Sequence, residues 1–205
     1  MILSYHGGAC IRASAGDTTA VFGPVSKQSK NFKPVNFGAD VAFVSLNDPD
    51  MNGAADAARG DKQPFAIFGP GEYEVKDITA NGFSSGSGYG GQMRNNTIYS
   101  VQFDGLSVLY LGALGDMDLP SDVLEMDAPD IAIVPIGGEG TLSPSEAEKL
   151  VVKLEAKIVI PLLYEKNLKA FLKEAGAESV KPVDKLTLKP RDVVGKQGEV
   201  VVLGG

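Results

Sequence analysis

Val41-Ala42-Phe43-Val44-Ser45-Leu46-Asn47-Asp48-Pro49-Asp50-Met51-Asn52 is the stretch on which the reading of this chain turns. Its first four residues form a continuous apolar run of strand length, which predicts a strand covered on both faces. From Ser45 onward the run breaks into turn formers. Residues 54–59 then read as a short helix, with Asp50 or Asn52 as its cap and Gly60 as its stop.

Working outward, residues 2–5, 9–13 and 18–22 are short strands of a meander, separated by Gly7-Gly8 and Ala15-Gly16-Asp17. Downstream, Gly69-Pro70-Gly71 is a turn, and residues 72–76 alternate as a half-exposed strand. Residues 96–103 and 106–111 predict two strands joined at Asp104-Gly105, a strong hairpin signal. The second half alternates buried strands (131–134 and 158–160) with helices at 144–154 and 165–175. Ser143 and Glu146 have capping-box spacing, Pro144 suits a first turn, and Gly176 closes the second helix. Short strands at 185–188 and 199–203 complete a layered α/β or α+β domain spanning 1–205 with no internal linker.

Composition narrows the function. The 205 residues carry 19 basic and 26 acidic side chains, a net charge of −7, one histidine, one cysteine and no tryptophan. A nucleic-acid footprint needs a basic face, and none is visible as a run. No apolar run reaches the roughly 20 residues that span a bilayer, and the N-terminus lacks a signal-peptide pattern. The expected location is the cytoplasm, without nucleic acid or membrane as partner. One cysteine excludes an internal disulfide framework.

Several segments, in order and at matching spacing, resemble the metallo-β-lactamase fold, in its small branch of predicted zinc-dependent hydrolases. They are Tyr5-His6-Gly7-Gly8-Ala9-Cys10, Phe22-Gly23-Pro24, the stretch from Ala39 to Asn52 and Gly69-Pro70-Gly71-Glu72-Tyr73-Glu74-Val75. Asn96-Thr97-Ile98-Tyr99, Asp104-Gly105-Leu106, Tyr110-Leu111-Gly112, Val134-Pro135-Ile136-Gly137-Gly138, residues 158–164 and Pro182-Val183-Asp184-Lys185-Leu186 complete the set. The resemblance implies a four-layer αββα sandwich of two mixed sheets, with the site at one edge. It also implies imidazoles and carboxylates around one or two zinc ions that turn water into hydroxide.

The ligands that the family's pattern calls for are largely absent. Of His-x-His-x-Asp-His, the histidine positions read Leu46, Asp48 and Met51, and only Asp50 is kept. Ala113 stands where the bridging carboxylate is expected, Leu163 where the late histidine is, and Gly8 where the early one is. Gly23 replaces the aspartate of an Asp-Pro pair, and residues 82–95 hold no histidine. Leu, Met and Ala offer zinc no useful ligand.

The resulting expectation is a protein that has lost its zinc site: metal-free, without cofactor, and acting as a binding, scaffold or assembly protein, with a protein partner or a second copy. Two alternatives stand beside it. One is a hydrolase using a hard cation, Mg²⁺ or Mn²⁺, on Asp48, Asp50 and Asp116, although Asp48-Pro49-Asp50 also suits turn and cap chemistry. The other is a small-molecule module in the vestigial pocket of Leu46, Met51, Ala113 and Leu163. Of the remaining candidates, His6 reads as a strand-end residue with one hydrogen bond and Cys10 as a small buried hydrophobe. Glu72 and Glu74 read as a solvated face. The glycine-rich residues 82–91 read as a mobile loop over the site mouth, with Phe83 and Tyr89 as lid residues.

Overall fold

The computed structural model describes residues 1–204. Thirteen strands form two mixed sheets. The first contains β1 (Ile2–Tyr5), β2 (Ile11–Ala15), β3 (Thr18–Phe22), β4 (Val41–Phe43), β5 (Phe65–Ile67) and β12 (Leu186–Thr187), in the order β12-β1-β2-β3-β4-β5. The second contains β6 (Gly71–Val75), β7 (Ile78–Ser87), β8 (Arg94–Phe103), β9 (Leu106–Tyr110), β10 (Ile131–Pro135), β11 (Ile158–Leu162) and β13 (Glu199–Val200). Its order is β13-β11-β10-β9-β8-β7-β6. The expected αββα sandwich is therefore the observed architecture.

The inner faces meet through an aromatic seam. Phe22 stacks on Phe43 with ring centroids 4.8 Å apart, and Tyr110 and Tyr99 of the second sheet lie 5.1 Å from Phe22 and 5.2 Å from Phe43. All four rings are buried, and the tyrosine hydroxyls reach backbone acceptors: Tyr99 donates to the Val44 carbonyl at 2.8 Å and Tyr110 to that of Ala9 at 2.9 Å. This is how a buried phenol avoids an unmet polar group. Gly23, with φ +52, is fixed by the same seam, because a Cβ there would overlap the Tyr110 hydroxyl.

Helices α2 (Pro144–Lys153) and α3 (Leu168–Glu174) cover the outer face of the second sheet, burying Leu150, Val151 and Phe171 against Ala132, Val134 and Val159. Ser143 and Glu146 form the expected capping box. Helix α3 starts three residues later than its sequence pattern suggests, with Asn167 before it. A four-residue turn, α1 (Ser121–Leu124), completes this layer. Over the first sheet the cover is thinner: a 3-10 turn, Ala54–Ala57, and the chain of residues 25–39, packed on Cys10, Val21 and Ala42. Gly53 precedes that turn and no side chain caps it, so neither Asp50 nor Asn52 has the expected capping role.

Asp40, at the entry to β4, ties three elements: it accepts the Thr19 amide at 2.8 Å and pairs with Lys62 and, at 2.5 Å, Lys76. Burial raises its pKa, but the hydrogen bonds from Lys62 and Lys76 prevail and bring it down to about 2 from 3.8. A depressed carboxylate stabilises the fold above its unfolded pKa and loses that contribution as pH falls through the folded one. The stability gap between the wild type and Asp40→Asn is therefore expected to be full at neutral pH and to close between about pH 4 and pH 2. Denaturation curves across that range check it, and a gap that persists at the acid end contradicts it.

No helix among the described residues is long and apolar enough to cross a membrane.

Candidate functional site

The loop after β4 lies at one end of the sandwich beside a cleft of about 910 Å³. Asp48, Pro49 and Asp50 line it from this loop, Phe32 and Asn31 from the cover of the first sheet, and Tyr89 to Met93 from the β7–β8 connection. Residues 137–141, after β10, and Leu163, Glu165 and Lys166, after β11, close the remaining side.

Two of these walls touch through backbone. The Gly88 amide donates to the Gly140 carbonyl at 2.8 Å, and a Cβ on Gly140, whose φ is +97, would overlap Gly88. Next to the 137–141 segment stands a residue strained for its type: Leu163 has φ +53, and its amide donates to the Gly8 carbonyl at 3.1 Å. Non-glycine residues in this region cost about 1–3 kcal/mol and persist where their surroundings fix them.

Sequence reasoning placed a pocket at Gly8, Leu46, Asp48, Asp50, Met51, Ala113, Asp116 and Leu163; the structure fills the apolar part of that space. Leu46, Met51 and Ala113 are at most 1% exposed and belong to the inter-sheet core. The Phe32 ring covers Gly8 so closely that a Cβ would lie 2.9 Å from it. Of this set Asp48, Asp50 and Leu163 line the cleft. Apolar side chains at the positions where the family's pattern has ligands pack inward, because burying them is favourable and an unfilled cavity is not. Ala113 also donates its amide to Oδ1 of Asn96, whose Nδ2 donates to the Leu111 carbonyl at 3.0 Å, so this corner is held by a buried amide.

The three aspartates are not brought together. Asp48 is paired with Arg94 at 2.9 Å, and one of its oxygens accepts the Asp50 amide at 3.0 Å. Asp50, 3% exposed, accepts from Ser29 Oγ at 2.6 Å, Asn31 Nδ2 at 2.7 Å and the Tyr89 hydroxyl at 2.7 Å. Asp116 is exposed, outside the cleft lining, and turns back to accept the Asp118 amide at 2.9 Å. Among the described residues no group of three or more His, Cys, Asp or Glu could hold a metal ion.

The remaining sequence candidates divide. His6 makes one side-chain hydrogen bond, to Ser4 at 3.0 Å, and its ring lies 4.6 Å from that of Phe37. Burial, then Arg12, lowers its pKa. Burial pushes the Cys10 thiol up to about 12, which makes it inert. Glu72 and Glu74 are exposed, as expected. Residues 82–87, however, are not a mobile loop: they continue β7 and pair with β8 in register. Phe83 packs toward the outer-face cluster of the second sheet, so it is no lid over the cleft; Tyr89 does face the cleft. Burial, then the bond to Asp50, raises the Tyr89 pKa.

Sequence reasoning did not foresee Ser29, Asn31, Phe32 or Arg94. Each acts across 19 to 46 residues of chain, and no local pattern marks them.

Two face-to-face mixed sheets with a cleft beside the β4 loop define a metallo-β-lactamase-type protein. The chain belongs to the beta-lactamase superfamily domain family, whose model matches residues 2–163. It is similar to a UPF0173 metal-dependent hydrolase of Natranaerobius thermophilus, 28% identical over 190 residues that cover 80% of this chain and 83% of that protein. A UPF0173 metal-dependent hydrolase of Methanosarcina mazei is 39% identical over 88 residues, 42% of this chain and 35% of that one. Among solved structures, a candidate zinc-dependent hydrolase of the metallo-β-lactamase superfamily from Thermotoga maritima superposes with a TM-score of 0.74 at 26% identity. That match covers 98% of this chain and 97% of the other. A metallo hydrolase of Ignicoccus hospitalis, 18% identical, shares the fold with a TM-score of 0.61 over 92% and 99% of the two chains.

These names correct the expectation drawn from the missing histidines. The relatives are called metal-dependent hydrolases, and nothing in them marks a non-catalytic branch, so the reading as a metal-free binding, scaffold or assembly protein without cofactor is overturned. A chain without the family's histidines lacks one way of holding a metal, which does not by itself remove catalysis.

Proposed function

We propose that this chain is a hydrolase of its superfamily, dependent on a divalent cation as its relatives are named to be, and acting in the cleft beside the β4 loop. The observation that carries the reading is the cleft itself. It lies beside the loop that resembles the family's ligand-bearing stretch, is large enough for a small molecule, and is walled by the β4, β7–β8, β10 and β11 loops. The side chains as arranged do not fit a zinc cage: Asp48 is bound to Arg94, Asp50 holds three donors, and Leu46, Met51, Ala113 and Leu163 supply none. No step of the reaction is therefore assigned to a metal. The chain's own contribution is a shaped cleft with one nearly buried carboxylate in its lining.

Chromogenic esters, lactones, thioesters and phosphodiesters, each assayed with Mg²⁺, Mn²⁺ or Zn²⁺ and again with chelator, test this reading. Turnover of at least one class that needs added cation is expected, and no turnover of any class with any cation overturns it. The same proposal takes the chain as one domain over 1–205, located in the cytoplasm, associating with a protein partner or a second copy and with neither nucleic acid nor membrane. The net charge of −7 and the absence of a visible basic run support the last point.

A further inference from the structure

Asp50 is a nearly buried carboxylate in the cleft lining, and the donors on it are neutral: a serine hydroxyl, an asparagine amide and a phenol. Among the described residues it forms no ion pair, and Arg94 is held by Asp48. Buried charges are normally paired, and neutral donors satisfy hydrogen bonding without cancelling charge. The other charges of the cleft balance. Lys30 and Lys166 stand against Glu139 and Glu165, all exposed, and Arg94 cancels Asp48. What remains is one negative charge, on Asp50.

Of the three donors on Asp50, the Tyr89 phenol is the one whose side chain can swing aside while the backbone stays bonded to Gly140 through Gly88. Tyr89 lies between Gly88 and the left-handed Gly90 and Gly91, φ +72 and +80. Its backbone carbonyl is held by Arg94 at 2.7 Å, yet Nε of that same arginine is buried without a partner. An unmet buried donor weakens the present arrangement of this wall relative to another. Beside Asp50 the surface is apolar, with Phe32 and Leu163 in the lining and Met93 79% exposed at its edge.

We propose that the cleft binds a primary ammonium group on Asp50, carried by a small molecule with an apolar body. The ammonium takes the place of the Tyr89 hydroxyl on the carboxylate, and the body lies against Phe32 and Leu163. An ammonium supplies three donors and the missing positive charge together, which a phenol cannot. The inference rests on the cleft being the functional site and names the substrate class for it.

Isothermal titration of the full chain at neutral pH with hexylamine, hexanol, hexanoate and Mn²⁺, each alone, tests it without any turnover. Binding of hexylamine is expected, with hexanol and hexanoate at least tenfold weaker. Asp50→Asn should weaken hexylamine at least tenfold, but it also loosens Ser29 and Asn31. Tyr89→Phe keeps the carboxylate and removes its competitor, so it should tighten hexylamine several-fold, up to about tenfold. Equal binding of hexanol or hexanoate overturns the proposal. So does a Mn²⁺ isotherm lost in Asp50→Asn while hexylamine is silent, or a Tyr89→Phe variant that binds hexylamine no better. Amine binding without hydrolysis of any ester class would sink only the hydrolase reading, and hydrolysis of neutral substrates without amine binding would sink only this one.

Discussion

Gly140→Ala is expected to destabilise the protein by about 3 kcal/mol or more and to lower its melting temperature by on the order of 10 °C. Two costs add. Gly140 has φ +97, a conformation L side chains rarely adopt, and its Cβ would overlap the carbonyl of Gly88 and lie 2.8 Å from the Tyr89 amide nitrogen. Both neighbours are backbone, so no rotamer change relieves the overlap; the 137–141 loop must part from Gly88. The hydrogen bond from the Gly88 amide to the Gly140 carbonyl goes with it, and Tyr89, next in sequence, is displaced from Asp50. Gly195→Ala is the control, since Gly195 is also left-handed, at φ +76, but has nothing within 4 Å of a Cβ. It should cost only about 1 kcal/mol. Thermal and urea melts compare the two, and equal losses would show that the Gly88–Gly140 contact contributes nothing.

The contrast between those glycines also shows what the sequence could convey. Local rules worked where the decisive partner lay within a few residues. Ser143 and Glu146 cap α2 as spaced, and Asp104-Gly105 turns β8 into β9 with φ +54 and +73. The same rules failed over residues 82–87. Glycine and serine weaken a strand in isolation, but pairing with β8 along nine registered positions outweighs propensity. The cap expected at Asp50 failed for a related reason: its oxygens are taken by Ser29, Asn31 and Tyr89, up to 39 residues away. A carboxylate that looked like turn chemistry lines the cleft, nearly buried. The single histidine drew attention to Leu46, Asp48 and Met51 at positions where the family's pattern has histidines, but it could not show that Phe32 covers Gly8 or that Leu46 and Met51 join the core. Inferring an inactive protein from that count went further than the residues allow, because a family's metal cage is only one of the things its cleft can contain.

Placing two histidines where the family's pattern has them, Leu46→His with Met51→His, is expected to destabilise the fold by about 5 kcal/mol. Leu46 is 1% exposed and Met51 fully buried, both inside the inter-sheet core, and the polar neighbour recorded for Met51 is Ser45 Oγ, 3.8 Å from its sulfur. Each imidazole would bring a ring N–H and a lone pair into that packing, in place of a side chain that fills its space without polar demands. Burial disfavours the charged form, so the folded pKa of each would fall below the unfolded value of about 6.5. The loss should therefore deepen as pH drops below that value, where the unfolded chain takes up protons that the folded chain refuses. Leu46→Met, which conserves volume, should cost less than about 1.5 kcal/mol at any pH. Added zinc should return little of the lost stability, because Phe32 lies over Gly8 and neither Ala113 nor Leu163 supplies a donor. Chemical denaturation of the double variant at pH 8 and pH 5.5, with and without zinc, measures all three effects. A double variant as stable as the parent would mean that this core accepts polar groups, and the apolar filling around Leu46 and Met51 would then need another explanation.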